Sequence, residues 1–190
     1  MAFVVIYDAC VLYPAPLRDL LIRVARVGLV RARWSEQILD ECFRSILDDR
    51  PDLQPEALAR TRELMNKAVP DCLVRGYEDL VPGLLLPDPD DRHVLAAAIR
   101  AAAQTIVTAN LTDFPPDRLA AYDVEAQHPD DFILAQLDLA PGAIVNVVVE
   151  QTNALKRPTS TISEVLDKLR ECGLVQSVAK LRELLGPTTG

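Results

Sequence analysis

Apolar residues in this chain fall into short unbroken runs that alternate with longer stripes at helical spacing. Phe3 to Tyr7 is an unbroken run closed by Asp8, as expected of a strand buried on both faces. Leu17, Leu20, Leu21, Val24 and Ala25 then form one helical face, entered through Pro14 and Pro16 and stopped near Gly28. Leu29 to Arg33 reads as a second short strand. Ser35 is suited to cap a helix with the stripe Ile38, Leu39, Cys42, Phe43, Ile46 and Leu47, which Pro51 ends. Further along, the pattern predicts a helix from Pro55 to Ala68, a strand over Asp71 to Val74 and a helix from about Asp90 to Ala103. Thr105 to Thr108 is a strand, Pro115–Pro116 a turn, and a short strand is expected near Tyr122 to Glu125. A helix follows from about Pro129 to Leu139.

Strands that alternate with helices imply βαβ units and a mostly parallel sheet. After Pro141 the pattern changes to helices alone: Ile144 to Leu155, then one with capping-box spacing at Thr161 and Glu164 that ends at Gly173, then Val175 to Leu185. The expected organisation is an α/β domain over residues 1–140 and a helical extension over 141–190. The extension is too short to be a catalytic unit of its own, so packing on the main domain or on a partner accounts for it. The tail from Gly186 to Gly190 is expected to fray.

Composition narrows the class. Hydrophobic residues make up 49% of the 190 and charged residues 25%, which is globular rather than disordered. Aromatics are only 5%, favouring helices on a sheet over an all-β sandwich. No stretch approaches the ~18–20 apolar residues that cross a bilayer, and the first residues lack the basic leader and cleavage site of a signal peptide. No membrane association is expected. Cys10, Cys42, Cys72 and Cys172 form no Cys-x-x-Cys pair, which argues against a zinc knuckle or a disulfide scaffold. Reduced thiols in a cytoplasmic protein are the expectation.

The net charge of −8 counts against a passive nucleic-acid binder, which presents a broad basic face. One segment departs from that average: Arg18, Arg23, Arg26, Arg31 and Arg33 face the single acid Asp19. It reads either as a solvated helix face or as a flank that touches phosphates.

The acids carry the candidate chemistry. Asp8 closes the first strand, and ligands of open α/β sheets bind beyond the carboxyl ends of strands. Asp91 shares its helical face with Val94, Leu95, Ala98 and Ala102, so its carboxylate should point inward at the start of that helix. Asp88 and Asp90 fit the plainer role of helix-dipole acids. Glu36 and Glu41 lie near opposite edges of their stripe, and periodicity does not choose between them. Thr108, Asn110 and Asp113 follow a strand, where turns are the commoner reading. His93 falls on the face near Arg100 and reads as solvent-exposed; His128 reads as a loop residue. Carboxylates gathered at one sheet edge repel each other and lose hydration, and hard divalent cations relieve both. Such a centre suits phosphoryl chemistry.

Four stretches in this order resemble the PIN-domain family of metal-dependent ribonucleases, particularly the VapC-type toxins of toxin–antitoxin pairs. They are Val5-Ile6-Tyr7-Asp8-Ala9-Cys10-Val11-Leu12, Ser35-Glu36-Gln37-Ile38-Leu39-Asp40-Glu41, Asp88 through Ala98, and Ile106 through Phe114. The resemblance covers roughly residues 3–140 and implies a PIN-like three-layer α/β/α fold with a mostly parallel sheet, followed by the helical extension. It also implies that Asp8, Glu41, Asp91 and Asp113 hold one or two Mg²⁺ or Mn²⁺ ions, with Asn110 and Thr108 positioning ligands or water. Asn110 stands where many members carry an acid. The implied activity is hydrolysis of RNA phosphodiesters by metal-activated water, with RNA as substrate, a small antitoxin as partner and a homodimer as the common assembly. The arginine segment would then hold the RNA backbone.

Two other readings stay open. A PIN scaffold without catalysis would bind RNA or protein only. A receiver-like signalling domain also gathers acids and Mg²⁺, but it wants paired acids after the first strand and a late lysine, whereas no lysine lies between Lys67 and Lys156. A dinucleotide-binding enzyme fails for lack of Gly-x-Gly-x-x-Gly after the first strand.

Overall fold

The structure is a computed structural model that describes residues 3–156 and 158–186. Four short strands form one sheet: β1 (Phe3–Tyr7), β2 (Val30–Arg33), β3 (Thr105–Val107) and β4 (Glu125–Gln127). Their spatial order is β2-β1-β3-β4, and every pairing is parallel. Ile6 pairs with Arg33 on one side and Ile106 on the other, so the carboxyl ends of β1, β2 and β3 lie along one edge. The chain steps outward from β1 to β2, then returns to the other side of β1 to form β3. The crevice between β1 and β3 is therefore the point where strand order reverses, the usual ligand position in open α/β sheets.

Ten α-helices accompany the strands among the described residues: α1 (Ala9–Leu12), α2 (Ala15–Arg26), α3 (Glu36–Asp49), α4 (Pro55–Ala68), α5 (Arg92–Ala101), α6 (Pro116–Leu119), α7 (Pro129–Leu139), α8 (Pro141–Ala154), α9 (Ile162–Glu171) and α10 (Val175–Leu185). The fold is the expected three-layer α/β/α arrangement with a C-terminal helical extension. Val5, Ile6, Tyr7, Ile106 and Val107 are fully buried, as strands covered on both faces must be. Tyr7 stacks on Trp34 with ring centroids 6.4 Å apart and meets the edge of Phe132 at 6.1 Å. Its hydroxyl donates to the Leu21 carbonyl at 3.2 Å, so one residue ties β1 to α2 and α7.

Local signals placed several boundaries. Ser35 Oγ accepts from Ile38 N at 3.1 Å and starts α3. Thr161 and Glu164 form the complete capping box of α9. Elsewhere the structure departs from the expected pattern. Asp71 to Val74 is no strand: Asp71 sits at φ 55°, and only a single bridge joins Trp34 and Leu73. β4 begins later than expected because Asp123, at φ 56°, closes a tight turn over Ala120–Tyr122. Pro89–Asp91 forms a 3₁₀ turn, so the α-helix proper starts at Arg92. Most of the tail expected to fray lies outside the described residues.

The extension packs on the domain with α8 and α9 against α2, and α8 and α10 against α7. Asp130, near the start of α7, is 5% exposed and accepts from Gln176 N at 2.9 Å and Ser177 N at 2.8 Å, capping the first turn of α10. Ser177 Oγ donates back to the Asp130 carbonyl at 2.9 Å. Gln151 of α8 donates to the Pro16 carbonyl at 2.9 Å, and Glu150 pairs with Arg23 of α2 at 3.7 Å.

Candidate metal centre

Parallel register brings the residues after β1 and β3 side by side. Asp8 N donates to the Val107 carbonyl at 3.2 Å, which seats Asp8 beside Thr108. The Asp8 carboxylate is 5% exposed and accepts three hydrogen bonds: Ala9 N at 2.7 Å, Thr108 Oγ1 at 2.8 Å and Cys10 Sγ at 3.1 Å. Thr108 Oγ1 in turn accepts from Asn110 N at 3.0 Å, so the loop after β3 is fixed to the acid after β1. Cys10 also accepts from Ala109 N at 3.3 Å. Burial first, and then the charge of Asp8, push the Cys10 thiol up to about 12, outweighing the bonds from Thr108 and Ala109. Cys10 therefore stays a thiol and serves as a donor to Asp8. Sequence reasoning gave it no role at the site; its place two residues after Asp8, at the strand end, was the available signal.

Asp8, Glu41, Asp91 and Asn110 line one cleft of about 380 Å³, together with Cys10, Tyr13 and Cys42. Asp91 is half-buried there, facing inward as its helical period required. Burial first, and then the charges of Asp8, Asp113 and Asp88, push its carboxyl up to about 7, against a smaller pull from His93. Asp113 thus acts on the cleft by its charge from the turn Leu111–Asp113, without lining it. Thr108 lies buried beneath as a hydrogen-bond relay. Asp88, expected as a helix-dipole acid, accepts from Asp90 N at 2.8 Å and caps the 3₁₀ turn ahead of α5.

Packing makes the choice that periodicity left open. Glu36 is exposed and pairs with Arg62 of α4, which also holds Asp40 at 2.5 Å. Glu41 turns to the cleft instead. His93 corrects the reading of it as solvent-exposed: it is 2% exposed, with Nε2 at 2.8 Å from Glu41 Oε1. The reason is that α5 is buried nearly all round from His93 to Ala98, so the helix has no wet face there. His128 caps α7, its Nδ1 accepting from Asp130 N at 3.2 Å.

Much of the arginine segment is engaged within the protein. Arg18 donates to the carbonyls of Leu12 at 2.7 Å and Tyr13 at 3.1 Å. Arg23 pairs with Asp19 at 3.1 Å, and Arg33 donates to the Asp71 carbonyl. Only Arg26 and Arg31 of the five are exposed. The others brace α1, α2 and the loop beyond α4.

Residues 4–112 match the PIN domain family. The chain belongs to the PIN-domain family. Residues 129–183 match a second family, the VapC50 C-terminal domain, which covers α7 through most of α10. Over 109 residues the chain is 45% identical to a Mycobacterium tuberculosis protein named "Putative ribonuclease VapC50". That alignment takes in 57% of this chain and 63% of the relative, so the chain spans less than two thirds of the length of the relative it matches. No solved structure matches. The PIN-domain membership implied by the four motifs is thus shown.

The donor set of this PIN domain suits a hard divalent cation. Beside the thiols of Cys10 and Cys42, its lining includes three carboxylates and the Asn110 amide, whose oxygens are the ligand types of Mg²⁺ and Mn²⁺. The raised Asp91 carboxyl reflects burial first and then the like charges of Asp8, Asp113 and Asp88 gathered beside it. Among the described residues no three His, Cys, Asp or Glu side chains converge into a ready-made cage, so ligation requires side chains to close on the ion.

Proposed function

We propose that this PIN-domain protein is an Mg²⁺- or Mn²⁺-dependent endoribonuclease, the toxin half of a type II toxin–antitoxin pair. The observation that carries this is the meeting of Asp8, Glu41, Asp91 and Asn110 in one cleft at the β1/β3 crevice, with the Asp91 carboxyl raised to about 7. When bound, the divalent ion supplies an activated water and neutralises charge on the leaving oxygen. Asp8, Asp91 and Glu41 hold it, and Asp113 adds negative charge beside them. Thr108 fixes the rotamer of Asp8, and Asn110 at the rim offers a neutral oxygen for a ligand or water. The similarity to a relative named as a ribonuclease supports RNA as the substrate. A small antitoxin that covers this acidic cleft is the partner this reading requires.

The direct test is cleavage of a mixed RNA substrate by the purified full chain with Mg²⁺ or Mn²⁺, with and without excess EDTA. Cleavage that EDTA abolishes is the expected result. Tight metal binding with no cleavage of any RNA would identify a binding scaffold instead. A second expectation concerns pH. Asp91 must lose its proton to serve as a ligand, so Mn²⁺ affinity should fall by about tenfold for each pH unit below 7. Titration calorimetry between pH 5.5 and 8 (about neutral, ± one to two units) reads this, and a flat profile would count against Asp91 as a ligand.

A further inference from the structure

His93 is the one imidazole buried beside the cleft, and nothing in the proposed chemistry uses it. It sits in α5 among Val94, Leu95, Ala96 and Ala97, all fully buried. A polar ring in such surroundings costs hydration that an apolar residue would not. Among the described residues neither ring nitrogen has an aligned hydrogen-bond partner. The one close polar contact is Nε2 to Glu41 Oε1 at 2.8 Å, off the N–H axis. Contacts of this kind are commonly loose until a ligand binds and then tighten.

The chemistry of the two groups fixes the direction of the contact. An ionised carboxylate only accepts, so Nε2 must carry the proton. A neutral ring protonated at Nδ1 instead would bury a donor facing nothing and set two lone pairs against each other. We propose that His93 is a positioning residue for Glu41: Nε2–H holds one carboxylate oxygen from behind, so that the other is presented to Asp8 and Asp91 across the cleft. This inference rests on the reading of Glu41 as a metal ligand. It gives α5 two linked tasks, since Asp91 precedes its first turn and His93 lies one residue into it. One helix then supplies a ligand of its own and sets the rotamer of a ligand on α3. Partners that orient ligating carboxylates in this way commonly carry 10–100-fold of the metal affinity.

The test uses Mn²⁺ binding to the full chain by calorimetry, for the wild type, Glu41→Gln, His93→Gln, His93→Leu and the double variant Glu41→Gln/His93→Leu. His93→Leu should weaken Mn²⁺ by about 10–100-fold, while His93→Gln, which keeps an N–H donor, should stay within about threefold. The double variant should bind no more weakly than Glu41→Gln alone, because the histidine acts only through that carboxylate. Wild-type protein that binds no Mn²⁺ would overturn the metal reading and this inference with it. Wild-type binding with His93→Leu unchanged, with His93→Gln as weak as His93→Leu, or with additive losses in the double variant would overturn the role of His93 alone. Should His93→Leu fail to fold, imidazole nitrogen NMR of the wild type decides: an Nε2–H ring is expected at His93, and an Nδ1–H ring refutes the contact. The chain has two histidines, and the spectrum of His93→Gln assigns them.

Discussion

Asp8→Asn should lower RNA cleavage by at least about 100-fold while the protein stays folded, because it removes the most buried of the carboxylates proposed to hold the ion and keeps the shape. The amide oxygen can still accept from Ala9 N. The amide nitrogen faces Thr108 and Cys10, whose hydroxyl and thiol can turn to accept. The metal-free protein should become more stable at neutral pH, not less. Asp91 ionises near 7 in the folded protein and near its ordinary value of 3.8 in the unfolded chain. A carboxyl raised by folding favours the folded state fully below pH 3.8, and that contribution is lost as pH rises through 7. Removing the charge of Asp8 lowers the folded value and returns part of the loss. Thermal melts in EDTA at about pH 8 and cleavage assays with Mn²⁺ check both halves. Undiminished metal-dependent turnover in this variant would remove Asp8 from the site.

Asp130→Ala, remote from the cleft, should cost about 2–4 kcal/mol and lower Tm by roughly 5–10 °C. The carboxylate caps α10 through two backbone N–H groups, and the truncation leaves the buried Ser177 donor and the part-buried Gln176 donor without their acceptor. Burial pushes the Asp130 carboxyl upward, but the bonds from Ser177 and from the N–H groups of Gln176 and Ser177, with the charge of His128, bring it below its ordinary value. The stability it contributes is therefore present above the unfolded value of 3.8 and is lost as pH falls through the lower folded value. The wild type and Asp130→Ala should thus converge in stability in strong acid. Melts that agree within about 1 °C at neutral pH would show that the cap holds nothing together.

What could be read from the sequence was local. Ser35, Thr161 and Glu164 act within one turn of their own helices, so their roles are written in adjacent residues. Asp91 was legible for the same reason, since its face is set by Val94, Leu95 and Ala98. The Glu36 and Glu41 choice was not, because it is made by Arg62, 26 residues from Glu36 and on another helix. His93 was misread because a helix was assumed to have a wet side. Ala96 and Ala97, three and four residues on, were the warning: the His93 face is as apolar as the face of Ala98. The arginine segment was ambiguous in the opposite way. Its charges left open a solvated face or a phosphate-bearing partner, whereas Arg18 and Arg33 donate to carbonyls that only the folded chain brings near.

The bond from Gln151 to the Pro16 carbonyl joins positions 135 residues apart. During synthesis the first strand and helix leave the ribosome long before their cover exists, and the apolar side of α2 waits for α8 and α9. Contacts of such wide sequence separation close late, since the loop entropy is spent before they form. A chain cut short before α8 would therefore carry the acids of its cleft on an unfinished support, with α2 still lacking the cover of α8 and α9.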